Sequence, residues 1–174
     1  IQVNYNNGVN TYLVNGGTAS STGLEFSTQY SPVEDLRLGL NAAYTDAKLT
    51  EDVPSIGGLS GDPLPYVAKW TGSATADYAF LRRAGWTARV GGGLRLTGKR
   101  ETALAHSPAA LPLRSYGVLD LNAEVSNDRW TVRLFSKNAT NKTVYINMFP
   151  LNNGATGATT QIECVPLQPR TLGL

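Results

Sequence analysis

At 174 residues and a formal net charge of +2, the chain is one domain's worth of sequence, with too little basic charge for a nucleic-acid surface. A single cysteine, Cys164, rules out an internal disulfide, and a single histidine, His106, leaves no multi-histidine metal site. No apolar run approaches the ~18 residues of a membrane-spanning helix, and no basic segment followed by an apolar one opens the chain as a signal peptide does.

The chain opens on a strand-like stretch, Ile1 to Tyr5, followed by a polar loop from about Asn6 to Ser20. Leu24, Phe26, Thr28 and Tyr30 then alternate with Glu25, Ser27 and Gln29, and a short turn spans Ser31 to Asp35. Leu36, Leu38, Leu40, Ala42 and Tyr44 alternate with Arg37, Gly39, Asn41, Ala43 and Thr45, a period of two that marks a strand with one apolar and one polar face. The stretch from Leu49 to Pro65 carries Pro and Gly throughout and predicts a long loop without a regular element. Trp70, Gly72, Ala74, Ala76, Tyr78 and Phe80 begin the next two-faced strand, and the turn from Leu81 to Gly85 is short. Trp86, Ala88, Val90, Gly92, Leu94 and Leu96 follow, set against Thr87, Arg89, Gly91, Gly93, Arg95 and Thr97. After a loop from Lys99 to Arg114 comes a hairpin, with Leu119, Leu121, Ala123 and Val125 on its first arm. Trp130, Val132 and Leu134 stand on its second, across a turn at Asn127-Asp128. A last long loop, Lys142 to Gln168, precedes Arg170 to Leu174.

This pattern predicts an all-β chain, an antiparallel meander of about eight strands with no significant helix. Turns near 31–35, 81–85 and 126–129 are short, whereas loops near 6–20, 49–65, 99–114 and 142–168 are long. Tight turns at one end and long loops at the other are the asymmetry of transmembrane β-barrels. Aromatics gather at the strand ends: Tyr30, Tyr78, Trp86 and Trp130 beside the short turns, and Tyr44, Trp70 and Tyr116 toward the long loops. Leu36 to Tyr44 is nine residues, within the ~9–11 of a tilted membrane strand. The expected lipid contacts are Leu36, Leu38, Leu40, Val90, Leu94, Leu119, Leu121, Val132 and Leu134, between two girdles of interfacial rings. The alternative is a soluble β-barrel around a small apolar ligand, in which those side chains form a packed core and Arg37, Arg89 and Arg133 face bulk water. A small complete outer-membrane barrel with a structural role is a further alternative.

Several stretches carry a family resemblance: Gly23-Leu24-Glu25, Tyr44-Thr45-Asp46-Ala47, Leu119-Asp120-Leu121, Trp130 with Lys137-Asn138-Ala139-Thr140-Asn141-Lys142, and Pro169-Arg170-Thr171. In this order and spacing the chain resembles the C-terminal barrel of TonB-dependent outer-membrane receptors. The resemblance implies a place in the bacterial outer membrane and uptake of a scarce ligand, most often a ferric siderophore. It also implies contact with lipid, with a plug domain inside a barrel of about 22 strands, and with the TonB energy-coupling protein. No plug, energy-coupling box or aromatic-terminated last strand is visible, so residues 1–174 are expected to be one segment of a longer receptor. Alone, such a segment leaves open sheet edges in lipid and is not expected to form a stable membrane protein.

No enzyme, cofactor, metal or nucleic-acid constellation emerges. His106 reads as a solvated loop residue, and Gly91-Gly92-Gly93 lacks the spacing and the following helix of a phosphate loop. Asn138-Ala139-Thr140 and Asn141-Lys142-Thr143 match a glycosylation acceptor pattern but read better as the end of a strand. Arg37, Arg89, Arg95 and Arg133 are the candidates for contact with an anionic ligand. Each has a carboxylate partner available in Glu25, Asp77, Asp120 or Glu124. The long loops, Tyr145 to Phe149 included, are the better place for ligand capture, because a rigid scaffold presents binding residues on its loops.

Overall fold

A computed structural model of the chain describes residues 1–6, 11–107, 110–152 and 159–174. It is all-β, with one short 3-10 turn at Pro54–Ile56 as its only helical element among the described residues. The strands are β1 (Gln2–Asn6), β2 (Thr11–Asn15), β3 (Ala19–Val33), β4 (Leu36–Leu49), β5 (Trp70–Arg83), β6 (Trp86–Thr97), β7 (Arg100–Glu101), β8 (Pro112–Leu113), β9 (Tyr116–Ser126), β10 (Thr131–Lys137), β11 (Tyr145–Asn152), β12 (Thr159–Pro166) and β13 (Thr171–Gly173).

Seven of these form one antiparallel meander in the order β13-β10-β9-β6-β5-β4-β3. The expected meander of about eight strands is present as these seven. The opening strand does not join the sheet but pairs with β2 in a hairpin of its own, Gln2 opposite Asn15. The loop from Lys142 to Gln168 also holds a hairpin, β11 with β12, and the loop between β6 and β9 is pinched by the two-residue ladder β7–β8. These elements are concealed in the sequence because Pro112, Pro150 and Pro166 interrupt them, and proline removes a ladder donor.

The tight turns are set by local chemistry. Ala84 and Gly85, both at positive φ (52° and 78°), form the two-residue link between the paired Arg83 and Trp86. Positive φ at both positions is the signature of the primed turns whose twist matches a hairpin. At the other hairpin, Asn127 Oδ1 accepts hydrogen bonds from the amides of Arg129 (2.9 Å) and Trp130 (2.7 Å), an Asx turn that reverses the chain. All three short turns lie at one end of the sheet and all long connections at the other.

Register decides the two faces. Tyr44 stands opposite Trp70, Leu40 opposite Ala74, Ala74 opposite Leu94, and Leu94 opposite Leu119, so the apolar residues of successive strands share one face. Val132 and Leu134 pair with Val125 and Ala123 on that same face. These side chains do not enter a core: Leu40 is 46% exposed, Val132 53% and Leu134 56%. A soluble barrel or sandwich needs them packed. The apolar band ends abruptly along β4, where Tyr44 is followed on the same face by Asp46 and Lys48, themselves an ion pair at 3.1 Å. The Tyr44 and Trp70 rings meet at that border, centroids 4.8 Å apart. Leu36 to Tyr44 is about 27 Å of strand, roughly 20 Å of height at the ~40° tilt of membrane barrels, comparable to their ~25 Å apolar belt.

Strands β3, β4 and β5 run to 15, 14 and 14 residues, longer than the nine needed to span. In β3 and β4 the surplus lies mainly beyond the Tyr44–Trp70 border, where their ladder continues to Ala19 opposite Leu49, whereas β5 begins at Trp70 and extends past Tyr78 toward the short turn. One expected girdle residue is on the wrong face. Tyr116 pairs with Thr97, and the same face continues through Val118, Asp120 and Glu124, so its ring lies on the polar side. Its position at a strand end is right, but the phase of β9 puts Gly117, Leu119 and Leu121 on the apolar side instead.

With the apolar face set in a lipid bilayer, Leu40→Arg should cost about 2–4 kcal/mol, the range for a cation near the middle of an apolar belt. Asn41→Arg, one residue along on the other face, should cost no more than about 1 kcal/mol, the loss of its exposed hydrogen bonds to Ser27 and Ser73 included. Denaturant titration of both variants measures the contrast, and equal effects would contradict the assignment of the faces.

Candidate functional site

The polar face is a wall of cross-strand pairs. Ser27 Oγ donates to Asn41 Oδ1 (2.7 Å), and Asn41 Nδ2 donates to Ser73 Oγ (3.1 Å). Arg95 Nη2 donates to Asp120 Oδ2 (2.9 Å), while Asp120 Oδ1 accepts from the Asn138 amide (2.8 Å). Closer to the short turns, Arg133 donates through Nε (2.9 Å) and Nη2 (2.5 Å) to Glu124 Oε2. The four candidate arginines therefore divide. Arg95 and Arg133 are committed to carboxylates, whereas Arg37 and Arg89 make no ion pair or hydrogen bond among the described residues, although Asp77 and Glu124 stand opposite them. Exposed ion pairs of this kind contribute ~0–1 kcal/mol, so they organise the wall more than they stabilise it.

At the other end the long connections converge. The chain's buried apolar residues lie mostly there: Ala47, Leu49, Ala68, Leu104, Leu113 and Val118. Of these, Ala47, Leu49 and Val118 belong to the polar face by register. The segment after β4 folds back along that strand, with Leu64 donating to Ala47 O (3.0 Å) and Gly61 to Leu49 O (2.9 Å). It is more ordered than its Pro and Gly content predicts, because backbone pairing replaces a regular element.

Two polar clusters hold these connections together. In the first, Asp62, 7% exposed, accepts from the Leu59 amide (2.9 Å) and lies 3.0 Å from His106 Nδ1. Burial pushes the Asp62 carboxyl up, but the His106 hydrogen bond, the Leu59 amide and the His106 charge together outweigh it, leaving the group below the ordinary carboxylate range. His106 is exposed, as its loop position implies, yet it is tied to a partner and is not a free solvated residue. In the second cluster, Arg100 Nη2 donates to Ile146 O (3.0 Å) in β11, and its guanidinium lies 5.7 Å from the centre of the Tyr116 ring. Tyr66 Oη donates to Asn147 Oδ1 (2.8 Å), again bridging to β11. Tyr66 holds a φ of 63°, a left-handed conformation that an aromatic L-residue adopts only under constraint. Arg100 Nη1 is buried with no partner among the described residues.

Sequence reading singles out neither Arg100 nor Asp62, and it takes Tyr66 only as an aromatic toward the long loops and Asn147 only as part of the stretch 145–149. No periodicity distinguishes them, since they are brought together by loop folding across as many as 81 residues of sequence. The remaining lipid-face and girdle candidates, Tyr116 aside, share the apolar face, and Cys164 is an exposed free thiol in β12. No cluster of three or more metal-ligating side chains occurs among the described residues.

The sequence matches the profile of the family described as TonB dependent receptor-like, beta-barrel, over residues 1–141. No curated protein matches. Among solved structures, the chain is similar to BauA, the ferric preacinetobactin receptor from Acinetobacter baumannii. The TM-score is 0.68 at 21% identity, over 98% of this chain and 24% of that one. It is also similar to P. aeruginosa FpvA, solved bound to heterologous pyoverdines, with a TM-score of 0.57 at 17% identity, over 88% of this chain and 19% of that one. The chain thus spans about a quarter or less of the length of these receptors.

The Asp62–His106 clasp makes a pH prediction whose sign follows from the lowered carboxyl. Its contribution is complete above the unfolded-state Asp value of ~3.9 and is lost only as pH falls through the lower folded value. Amide exchange at Leu59 should therefore stay slow from neutral pH to about pH 5 and quicken in stronger acid, beyond the intrinsic pH trend of exchange. Asp62→Asn should quicken it already at neutral pH; an unchanged rate there would discount the clasp.

Proposed function

This chain belongs to the TonB-dependent receptor-like β-barrel family, and we propose that it forms part of the barrel wall of a bacterial outer-membrane receptor that takes up a ferric siderophore. Barrels of this family are outer-membrane proteins in general, and they bind and transport their ligands without chemical turnover. The observation that carries the proposal is the seven-stranded sheet with one continuous, exposed apolar face, bordered by Tyr44 and Trp70 at the long-loop end and by Tyr30, Tyr78, Trp86 and Trp130 toward the short turns. Water does not tolerate an apolar patch of that extent, whereas a bilayer requires one. The partners that follow are outer-membrane lipid on the apolar face and, in the full-length protein, a plug domain on the polar face and the TonB energy-coupling protein. Residues 1–174 then read as a C-terminal segment of such a receptor.

The ligand is best placed among the long connections. The wall arginines Arg95 and Arg133 already have carboxylate partners, while Tyr66, Arg100, Tyr116 and Asn147 stand together at the long-loop end. A guanidinium beside aromatic rings suits a planar, anionic iron chelate.

The full-length protein should fractionate with outer membranes, migrate as a heat-modifiable barrel, and support uptake of radioactive iron from a ferric siderophore. Failure to fractionate with the membrane would end the proposal. Within it, Arg100→Ala should weaken chelate binding about tenfold, the equivalent of ~1.4 kcal/mol, with Arg95→Ala close to neutral. The reverse order would move the ligand from the loops to the wall.

A further inference from the structure

Resting on the placement of the ligand beside Arg100 and Tyr116, we propose that the β11–β12 hairpin is an autoinhibitory flap. Its Ile146 carbonyl occupies Arg100 until an anionic chelate displaces it.

The hairpin is built to move as one piece. It forms a two-stranded sheet of its own and shares no ladder with the seven-stranded wall. Its two legs leave the wall through one narrow root. Leu167 donates to Val144 O (2.8 Å), and Asn138 Nδ2 donates to the carbonyls of both Lys142 and Gln168 (3.0 Å each). Asn138 is buried just past the end of β10, with its amide on Asp120, so the root is fixed to the scaffold. A ladder that stands on a single root can pivot about it with few backbone bonds at stake.

Two side chains tether the hairpin where β11 passes beside the β7–β8 ladder. Pairing in the hairpin jumps from Tyr145 opposite Pro166 to Asn147 opposite Val165, which makes Ile146 the extra residue of a bulge. Its carbonyl accepts from Arg100 Nη2 at 3.0 Å. One residue on, Asn147 Oδ1 accepts from Tyr66 Oη at 2.8 Å. Tyr66 is anchored next to Arg100, its amide donating to Glu101 O (2.8 Å). The Arg100 guanidinium lies 5.7 Å from the centre of the Tyr116 ring, which is on the polar face. The tether therefore draws the root of the hairpin over the inner side of the wall, onto the residues that would take the ligand.

This docked state carries a cost. Tyr66 holds a φ of 63°, and Arg100 Nη1 is buried with no partner among the described residues. Backbone strain and an orphaned donor both raise the free energy of the docked state relative to a lifted one. Ile146 offers Arg100 only a neutral carbonyl, and a guanidinium binds an anion more strongly than a neutral oxygen. An anionic chelate thus displaces Ile146, and the contact that binds the ligand is the one that releases the flap. Until then the apparent affinity is the intrinsic affinity multiplied by the lifted fraction. A lid that clasped its ligand would show the opposite sign: loosening it would weaken binding.

The test uses the full-length protein, with nitroxide labels on the native thiol Cys164 of β12 and on Leu59→Cys, both exposed positions. Pulsed electron spin resonance then reads the distance between the hairpin and the loop before β5. Tyr66→Phe, which removes one tether, should raise the lifted population roughly fivefold and tighten binding of iron(III) tris(catecholate), a trianion, by the same factor. In the wild type this trianion should itself lift the hairpin, and the neutral iron(III) tris(acetohydroxamate) should not. Arg100→Ala should lift the hairpin yet weaken binding of the trianion. Unchanged distances in Tyr66→Phe, weaker binding by that variant, or equal lifting by the neutral complex overturns the flap alone. A full-length protein that binds the trianion in no variant overturns the flap and the ligand placement together.

Discussion

Register is the constraint on which the rest of this structure depends. Side chains alternate with a period of two, so a one-residue slip of any strand carries its leucines to the polar face and its charges to the apolar one. From β3 to β10 no such slip occurs along the faces. Tyr30, Leu38, Ala76 and Gly92 follow one another across four strands, as do Gln29, Gly39, Thr75 and Gly93 on the other side. The irregularities, between Tyr30 and Val33 and between Ala79 and Leu81, sit close to the short turns, where a bulge re-aims a turn without disturbing the band. In lipid the same ladder also satisfies every backbone polar group it pairs, which makes register a matter of solvation as well as of patterning.

The stretches that carry the family resemblance prove to be partners of one another. Gly23 and Leu24 lie opposite Thr45 and Tyr44, and a Cβ at Gly23 would run into the Tyr44 carbonyl, so two of the five motifs are one contact seen from both sides. Asp120 of the Leu119-Asp120-Leu121 motif receives the Asn138 amide at 2.8 Å. Asn138 itself is buried and left-handed (φ 48°), with Nδ2 donating to the carbonyls of Lys142 and Gln168, both at 3.0 Å. Asn141, also left-handed, accepts from the Arg170 amide at 3.0 Å, which joins the end of β10 to the entry of β13. Asparagine serves here because it tolerates positive φ and carries both a donor and an acceptor on a short stem.

The sheet was legible from the sequence because its determinants are local. Alternation gives a strand and its two faces, Ala84-Gly85 and Asn127-Asp128 give the turns, and in-phase pairing then aligns Leu40 with Leu94 without further information. What was concealed depends on long-range choices. Nothing local says that Glu124 binds Arg133 in preference to Arg89, or that Asp77 turns over Gly91 and leaves Arg37 alone. Tyr116 was misassigned because an aromatic at a strand end satisfies the girdle pattern whichever face it is on; only the register with Thr97 separates the two. Tyr66, Asp62 and Arg100 lie in segments with no period, where contacts are made by loops that fold over one another.

The two ends of the molecule differ in what they demand of a residue. Within the wall, a period of two with no packed core leaves most large side chains exposed and buries only small ones such as Ala79 and Ala88, so burial of large groups and backbone strain have little place there. The long-loop end holds the buried carboxylate of Asp62, the orphaned Arg100 Nη1 and the strained backbone of Tyr66. Strain and unpaired buried polar atoms persist only where surrounding contacts over-determine them, and such places tend to be functional. A wall whose backbone groups are committed to ladders has little freedom to build such features. The loops above it are held by the same ladders, which continue beyond the Tyr44–Trp70 border as far as Leu49. The length of β3 and β4 past the apolar band is therefore what allows a rigid scaffold to carry an irregular loop surface.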